Sequence, residues 1–287
     1  MKRIAVLGIG AMGSRVAQNL LKANYPVIVY SRAVARAKSL LALGATYAAT
    51  PREAAEQADI VISMVTHDDA SRAVWLTPET GAVAGLDENT IAIESSTLTV
   101  DWTKALAAAI AAQGAAFLDA PVVGSRPQAE AGKLIYLVGG KPDILAQAET
   151  CLQASGIVRH IGSTGQGMAM KLAVNTLFGI QVVALAEILR MLSKQGLALD
   201  KALSCLGELP IMSPATKGAG GLMVAGNHAP LFPIELVEKD FRYAIQAGAQ
   251  GEGAMPAAAA ICEIYQTAIA QGHGSDNITG VIQLFKG

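Results

Sequence analysis

One lysine and one asparagine interrupt a long apolar stretch in the middle of the chain. Lys171 and Asn175 lie four residues apart, so a helix over this stretch carries both on one face. Apolar residues surround them on nearly every side, which predicts a buried helix. A buried ammonium group is costly unless it is paired, so we expect Lys171 to face water, a carboxylate or a substrate. The alternative is a lysine that extends from a helix end into solvent.

A glycine-rich turn follows the first predicted strand, Arg3–Leu7, and opens a predicted helix. The order strand, GxGxxG, helix is typical of dinucleotide-binding folds. The first glycine allows a tight turn, the second lets the backbone approach a pyrophosphate, and the third lets helix and strand pack closely. The alternative is an ordinary glycine-rich turn. We predict that the cofactor contacts Gly8, Ile9, Gly10, Ala11, Met12 and Gly13.

The second predicted strand, Val27–Tyr30, ends in a serine and an arginine instead of an acidic residue. NAD-selective folds usually place an aspartate or glutamate here for the ribose 2′-hydroxyl, but no carboxylate occurs from residue 25 to 50. We predict that Arg32 and Arg36 lie four residues apart on the next helix and, with Ser31, bind a 2′-phosphate. This pattern favours NADP(H) as cofactor. The alternative is an arginine pair on a solvated helix face.

Predicted strands and helices alternate as far as residue 161, which indicates a parallel sheet covered by helices. Ligands of such sheets bind beyond the carboxyl ends of the strands. Met64, Val65, Thr66 and Thr97 should therefore contact the cofactor, with Thr97 on the nicotinamide side. Ser96 or Thr99 could equally serve to cap the helix that follows. The remaining strands are predicted at 46–49, 59–65, 90–95, 115–122, 134–138 and 157–161.

The alternation stops at the glycine-rich segment 162–165, where we place the domain boundary. Residues 1–163 are predicted to form a Rossmann-type domain with a parallel sheet that binds the dinucleotide. Residues 164–287 are predicted to form an all-helical substrate and oligomerisation domain that begins with a long connecting helix. The fold class is therefore α/β. The predicted helices are 167–194, 200–208, 215–225, 236–249 and 256–271, and the tail from residue 277 could add another.

The composition limits the classes of partner. Charged residues make up only 16% of the chain, so we expect domain packing or a homodimer or homotetramer to cover apolar surface. Lysine plus arginine (22) nearly balance aspartate plus glutamate (23), which argues against nucleic-acid binding. The cysteines and histidines lack metal-ligand spacing, so no metal is predicted. The apolar run 172–186 is shorter than the ~20 residues that span a bilayer. We expect a cytoplasmic protein that is neither exported nor bound to a membrane.

Four segments together resemble the β-hydroxyacid dehydrogenase family, and the resemblance covers essentially the whole chain. The family includes 3-hydroxyisobutyrate dehydrogenases, tartronate semialdehyde reductases and NADPH-dependent glyoxylate or succinic semialdehyde reductases. The matching segments are, in chain order, 8–13, 119–122 onward, 167–175 and 239–240.

The resemblance implies that Lys171 is the catalytic lysine and that Asn175 orients the substrate. It also places Gly124 and Ser125 in the loop that holds a substrate carboxylate. Lys239, on the cofactor side, and Asp240, on the substrate side, would close the site; without the resemblance this pair is more typical of a helix surface. The family commonly has serine where this chain has Val123, so a hydroxyl expected near the carboxylate is missing. Ser125 or backbone N–H groups could replace it.

These residues predict hydride transfer between NADP(H) and a small carboxylated β-hydroxy acid or its aldehyde, with Lys171 as general acid and base. The alternative enzyme is an imine or hydrophobic-aldehyde reductase, which Val123 would suit. Imine reductases that resemble this family usually lack the lysine, however. The other alternative is a non-catalytic dinucleotide-binding protein, which would need neither Lys171 nor Asn175.

Overall fold

The computed structural model describes residues 1–249 and 254–285. Contacts divide the chain into two compact units, Met1–Lys171 and Leu172–Gly287. This division falls inside a helix, whereas the boundary predicted at residue 163 precedes that helix. The domain boundary at residue 163 therefore stays a prediction.

The first unit is built on a nine-stranded sheet in the order β3-β2-β1-β4-β5-β6-β8-β7, with β9 paired to β8. The sheet has one buried hydrophobic cluster on each face. Successive side chains of β1 pack into different clusters, because side chains alternate between the two faces of a strand. Ile4 and Val6 lie in one buried cluster, and Ala5 and Leu7 lie in the other. The strands are β1 Ile4–Leu7, β2 Val27–Tyr30, β3 Thr46–Tyr47, β4 Ile60–Ser63, β5 Ile91–Glu94, β6 Ala116–Asp119, β7 Val122–Val123, β8 Leu134–Gly140 and β9 Gly156–Gly162.

The sheet is parallel from β3 to β6 and between β8 and β9, as the alternation predicts. One part of that prediction is wrong, because β8 is antiparallel to both β6 and β7. The single strand predicted over 115–122 is also divided in two. Pro121 lies at the break, where it has no N–H group to give to a neighbouring strand.

The helices of the first unit begin where the sequence offers side-chain caps. Thr50 accepts a hydrogen bond from the backbone N–H of Glu53, and Thr99 accepts one from that of Trp102. The unit also contains two short 3₁₀ helices, Val34–Ala37 and Ala82–Gly85. The α-helices are α1 Gly13–Lys22, α2 Lys38–Leu41, α3 Pro51–Glu56, α4 Asp68–Leu76, α5 Val100–Ala111, α6 Arg126–Glu130 and α7 Pro142–Gln153.

The second unit is all-helical, as predicted. Among its described residues, β pairing is limited to one isolated bridge between Pro233 and Asn277. In its core, Phe241 packs directly against Gly179. A side chain at this position would not fit, since a Cβ atom at residue 179 would lie 2.4 Å from Phe241 Cε2. The hydroxyl of Tyr265 donates to the Gly179 carbonyl at 3.0 Å. The helices are α8 Gln166–Lys194, which starts in the first unit, α9 Leu199–Gly207, α10 Pro214–Val224, α11 Ile234–Gly248, α12 Pro256–Ala270 and a 3₁₀ helix Ile278–Phe285.

Helix α8 is long and apolar enough to cross a membrane by length and composition alone. Half of its most apolar stretch is buried within the protein, and the core helix of a soluble protein passes the same test. The finding is therefore weak evidence for membrane insertion.

A buried carboxylate holds the first turn of α8. Asp119, at the end of β6, is 0% exposed. Its Oδ1 accepts the backbone N–H of Gly165 and its Oδ2 that of Met168, both at 2.8 Å. These bonds satisfy donors that the start of a helix leaves without partners. Burial raises the pKa of the Asp119 carboxyl, and the backbone N–H groups oppose that shift. A side chain at Gly167 would not fit, since its Cβ would lie 2.3 Å from the Leu137 carbonyl oxygen.

Replacing Asp119 by asparagine should destabilise the protein by about 1–3 kcal/mol, because an amide has one accepting oxygen and turns an N–H₂ group towards the other donor. Urea unfolding measures the loss. Asp143→Asn is the matched control, since Asp143 is exposed in the first turn of α7 and its replacement should cost less than about 1 kcal/mol. Equal stability of the two variants would contradict this role for Asp119.

Candidate active site

The glycine-rich turn has the geometry that a bound pyrophosphate needs. Gly8 has a φ of 96°, and a Cβ atom there would lie 2.4 Å from the Met64 carbonyl oxygen. A Cβ at Gly13 would lie 2.1 Å from the Gly8 carbonyl oxygen, so α1 starts tightly against β1. A Cβ at Gly10, in contrast, would meet nothing within 4 Å. The first and third glycines are thus required by packing, and the second leaves open space beside the start of α1. These residues fit a dinucleotide.

The arginines predicted for the 2′-phosphate do not share a helix. Arg32 lies in a bend directly after β2, and Arg36 lies in the 3₁₀ helix Val34–Ala37. Ala33 precedes that helix with extended geometry, φ −107° and ψ 97°, so helical spacing does not extend back to Arg32. The prediction of one helix carrying both arginines is therefore wrong. Both side chains are exposed, while Ser31 is buried and its Oγ accepts the Ala33 N–H at 3.3 Å.

Two segments predicted to contact the cofactor are joined at the carboxyl end of the sheet. The backbone N–H of Val65, just beyond β4, donates to Ser96 Oγ, just beyond β5, at 2.8 Å. The Met64 N–H donates to the Leu7 carbonyl oxygen at 2.9 Å, which ties the same segment to β1. Thr66 is exposed and Thr97 is half-buried. Of the threonines and serines considered for the cap of α5, Thr99 is the one that caps it.

A carboxylate that the sequence analysis missed organises this edge. Glu94 ends β5 and is fully buried. Its Oε2 accepts Ser71 Oγ at 2.7 Å and Trp75 Nε1 at 2.9 Å, and its Oε1 accepts the Ser96 N–H at 2.9 Å. Burial raises the pKa of Glu94, and hydrogen bonds from Ser96, Ser71 and Trp75 oppose the shift. The feature of the sequence that could have identified Glu94 is its position as an acidic residue at the end of an apolar strand.

The loop predicted to hold a carboxylate follows β7. Val123 ends that strand, and Gly124 is exposed with a φ of 120°. Ser125 stands at the start of α6, where its backbone N–H and its Oγ both donate to Gln128 Oε1, at 3.0 and 3.1 Å. The hydroxyl proton of Ser125 is therefore directed to Gln128.

Lys171 is 7% exposed and is the last residue of the first unit. Asn175 follows one helical turn later on α8 and is also 7% exposed. Their spacing places both on one face of that helix, as predicted. Both residues are buried, as predicted, but the helix is not buried on every side, since Met170 and Leu177 are 43% and 59% exposed.

In the second unit, Asn175 belongs to a buried cluster of polar side chains. Its Nδ2 donates to Asp240 Oδ2 at 2.6 Å, which fixes the orientation of the amide. Lys239 Nζ lies 3.1 Å from Asp240 Oδ1, an ion-pair distance without hydrogen-bond alignment, and 5.1 Å from the centre of the Tyr243 ring. Lys239 is 8% exposed and Asp240 is 2% exposed, so the pair does not lie on a solvent-exposed face of the helix.

Comparison with known proteins assigns the family. Residues 3–172 match the NAD binding domain of 6-phosphogluconate dehydrogenase, and residues 165–285 match the NAD-binding domain of NADP-dependent 3-hydroxyisobutyrate dehydrogenase. The chain is 31% identical over 284 residues to glyoxylate/succinic semialdehyde reductase 2, chloroplastic, of Arabidopsis thaliana, covering 99% of this chain and 79% of the relative. This chain belongs to the β-hydroxyacid dehydrogenase family.

Two further members show the range of the β-hydroxyacid dehydrogenase family. The NAD-dependent L-serine dehydrogenase of Pseudomonas aeruginosa is 30% identical, with 99% of this chain and 98% of the relative aligned. The 3-hydroxyisobutyrate dehydrogenase of Mycobacterium tuberculosis, solved with L-serine, is 27% identical, covers 100% of both chains and superposes with a TM-score of 0.91. The chain is thus an oxidoreductase that uses a nicotinamide dinucleotide. Within residues 1–249 and 254–285, no cluster of three His, Cys, Asp or Glu side chains could hold a metal.

Replacing Glu94 by glutamine should lower the free energy of unfolding by about 2–4 kcal/mol, because the new N–H₂ group faces donors inside a buried site. Thermal or urea unfolding tests this. Glu56→Gln is the control, since Glu56 pairs with Arg52 on an exposed face of α3 and its loss should cost no more than about 1 kcal/mol. A Glu94→Gln variant as stable as Glu56→Gln would refute the assignment.

Proposed function

We propose that this protein transfers hydride between NADP(H) and a small β-hydroxy acid or its aldehyde, of the semialdehyde or glyoxylate type. The observation that carries the proposal is the burial of Lys171 on the same face of α8 as Asn175, in a helix whose first turn is fixed by Asp119. A lysine in such surroundings is suited to proton transfer because its position is defined and water is largely excluded.

Hydride transfer is the chemistry that a bound nicotinamide supplies. During reduction, negative charge develops on the carbonyl oxygen of the substrate, and the Lys171 ammonium group stabilises it and donates the proton that completes the alcohol. In the oxidative direction the neutral lysine accepts that proton. Asn175 orients the substrate with its amide, and Asp240 holds the amide through the 2.6 Å hydrogen bond. Lys239 neutralises the charge on Asp240.

The names of three relatives support the proposed substrate class. The names of those relatives specify glyoxylate, succinic semialdehyde, 3-hydroxyisobutyrate and L-serine, each a small molecule with a carboxylate. We therefore propose a small carboxylated substrate. Lys171 argues against an imine reductase, because an imine reductase resembling this family would usually lack it, and against a non-catalytic binder, which would not need a buried lysine.

The proposed preference for NADP rests on the end of β2. Arg32 follows Ser31 directly, is exposed, and has no acidic neighbour from residue 25 to 50. A guanidinium group can bind a phosphate through two parallel hydrogen bonds. Arg36, four residues later in the 3₁₀ helix Val34–Ala37, is a second ligand of the same phosphate in this proposal.

We also propose a cytoplasmic homodimer or homotetramer that binds neither nucleic acid nor membrane. Leu177, Ile188 and Met191 are exposed along α8 at spacings that place them near one face. A second copy of the chain would remove these side chains from water. The near-zero net charge of −1 supports the absence of a polyanionic partner.

Replacing Lys171 by alanine should slow turnover by at least about 100-fold, the scale of general acid catalysis, while NADPH affinity is largely kept. Loss of NADPH absorbance with glyoxylate, succinic semialdehyde, methylmalonate semialdehyde and tartronate semialdehyde measures turnover. Lys194→Ala is the control, since Lys194 is exposed in the last turn of the same helix. Full activity of the Lys171 variant would remove the lysine from the mechanism, and wild-type inactivity on the whole panel would oppose the proposed function.

Replacing Arg32 by glutamine should weaken NADPH binding by about tenfold or more and leave NADH binding unchanged, because only NADPH carries the 2′-phosphate. Fluorescence titration of both cofactors measures the two dissociation constants. Lys38→Gln, on the exposed start of α2, controls for the loss of a nearby charge. A loss that is equal for the two cofactors would rule out selective phosphate binding by Arg32.

A further inference from the structure

Helix α6, which follows the loop after β7, begins with an arginine whose expected partner within the helix is bound by another residue. Arg126 is the first residue of α6 and is half-buried. Its Nε atom is buried without a hydrogen-bond partner. Among the described residues, no hydrogen bond, ion pair or ring contact involves its guanidinium group. A buried donor without a partner is costly, so a ligand that accepts hydrogen bonds from Arg126 would stabilise this arrangement.

The expected intrahelical partner of Arg126 is Glu130, four residues later on α6. Glu130 is taken by Arg15 of α1, whose Nε approaches Glu130 Oε1 at 2.8 Å and whose Nη2 approaches the same oxygen at 2.5 Å. The Ala129 carbonyl also accepts Asn19 Nδ2 of α1, at 2.7 Å. The carboxyl-terminal end of α6 is therefore fastened to α1, and Arg126 lies at the opposite end, next to the loop 123–125.

The side chains of Val123 and Ser125 are less suited to a carboxylate than that of Arg126. Val123 has no hydroxyl. Ser125 directs both its backbone N–H and its hydroxyl to Gln128. The Gln128 oxygen accepts both bonds. Arg126 is the cationic side chain of the segment 123–128.

The same loop is connected to the start of the helix that carries Lys171. The chain reaches Val123 four residues after Asp119, whose carboxylate binds the backbone of Gly165 and Met168 at the start of α8. All of these residues belong to the first unit.

We infer that Arg126 binds the substrate carboxylate in this protein and replaces the hydroxyl that Val123 cannot supply. The planar guanidinium group donates two parallel hydrogen bonds to the two oxygens of one carboxylate, a geometry that a single hydroxyl cannot offer. The protein would then discriminate between carboxylated aldehydes and neutral aldehydes of the same length through Arg126. This inference rests on the proposed function, which supplies the reacting aldehyde.

The kinetic test compares Arg126→Gln and Arg126→Lys with the wild type, using succinic semialdehyde and butanal at saturating NADPH. For Arg126→Gln we expect the KM for succinic semialdehyde to rise by about 10- to 100-fold, while the KM for butanal changes by less than about twofold. Arg126→Lys should recover part of the loss, because it restores the charge but not the two-bond geometry. Arg159→Gln is the control, since Arg159 is exposed on β9 of the same unit.

A second measurement does not depend on turnover. Calorimetric titration of succinate into the NADP⁺-loaded protein should give a dissociation constant about tenfold or more higher for Arg126→Gln than for the wild type. An unchanged succinate affinity, or equal effects on succinic semialdehyde and butanal, would overturn the inference. So would a loss confined to NADPH affinity, which would assign Arg126 to a cofactor phosphate. Wild-type inactivity on both aldehydes would count against the proposed function, and succinate binding would still decide the role of Arg126.

Discussion

The two oxygens of the Asp119 carboxylate accept the backbone N–H groups of Gly165 and Met168, and the position of Lys171 depends on these two bonds. A carboxylate is well suited to this place because the first turn of a helix has unpaired donors and a partial positive charge. Gly167 allows α8 to approach the sheet closely enough for the bonds to form. Met168 adds a further link, since its Sδ accepts the Leu98 N–H at 3.2 Å. Strand β6, the segment after β5 and the first turn of α8 are thus held as one piece.

Buried charge is the recurring cost of this arrangement. In the first unit, Glu94 and Asp119 are removed from water and are compensated by several donors each. In the second unit, Asp240 is compensated by Asn175 and Lys239. Asp119 holds the first turn of the helix that carries Lys171, Asp240 holds the amide of Asn175, and Glu94 holds Ser96, next to the predicted cofactor contact Thr97. Glu94 and Asp119 accept hydrogen bonds at both oxygens, whereas Asp240 Oδ1 has only the ion pair with Lys239. Arg126 differs because its usual partner, Glu130, is bound by Arg15.

Much of the fold could be predicted because periodicity and capping act locally. The glycine-rich turn, the buried strands and the long apolar helix each follow from short-range rules, and β2 was predicted to the residue. The exceptions have physical causes. Arg32 and Arg36 do not have helical spacing because Ala33 is extended. The antiparallel pairing of β7 with β8 depends on contacts between segments that are separated in the sequence. Glu94 was missed because its partners come from α4 and from beyond β5, and such contacts leave no spacing in the sequence. Lys171 was recognisable because a lysine in an apolar helix is locally anomalous.

In the proposed reaction, hydride passes directly to a small carboxylated aldehyde and Lys171 supplies the proton. The most direct measurement is reduction of succinic semialdehyde in ordinary water with NADPH deuterated at both C4 positions, followed by mass spectrometry and NMR of the product. We expect one deuterium on the former aldehyde carbon, and a slower rate than with unlabelled NADPH whenever hydride transfer limits turnover. A hydroxy acid product without deuterium at that carbon would contradict the proposed reaction.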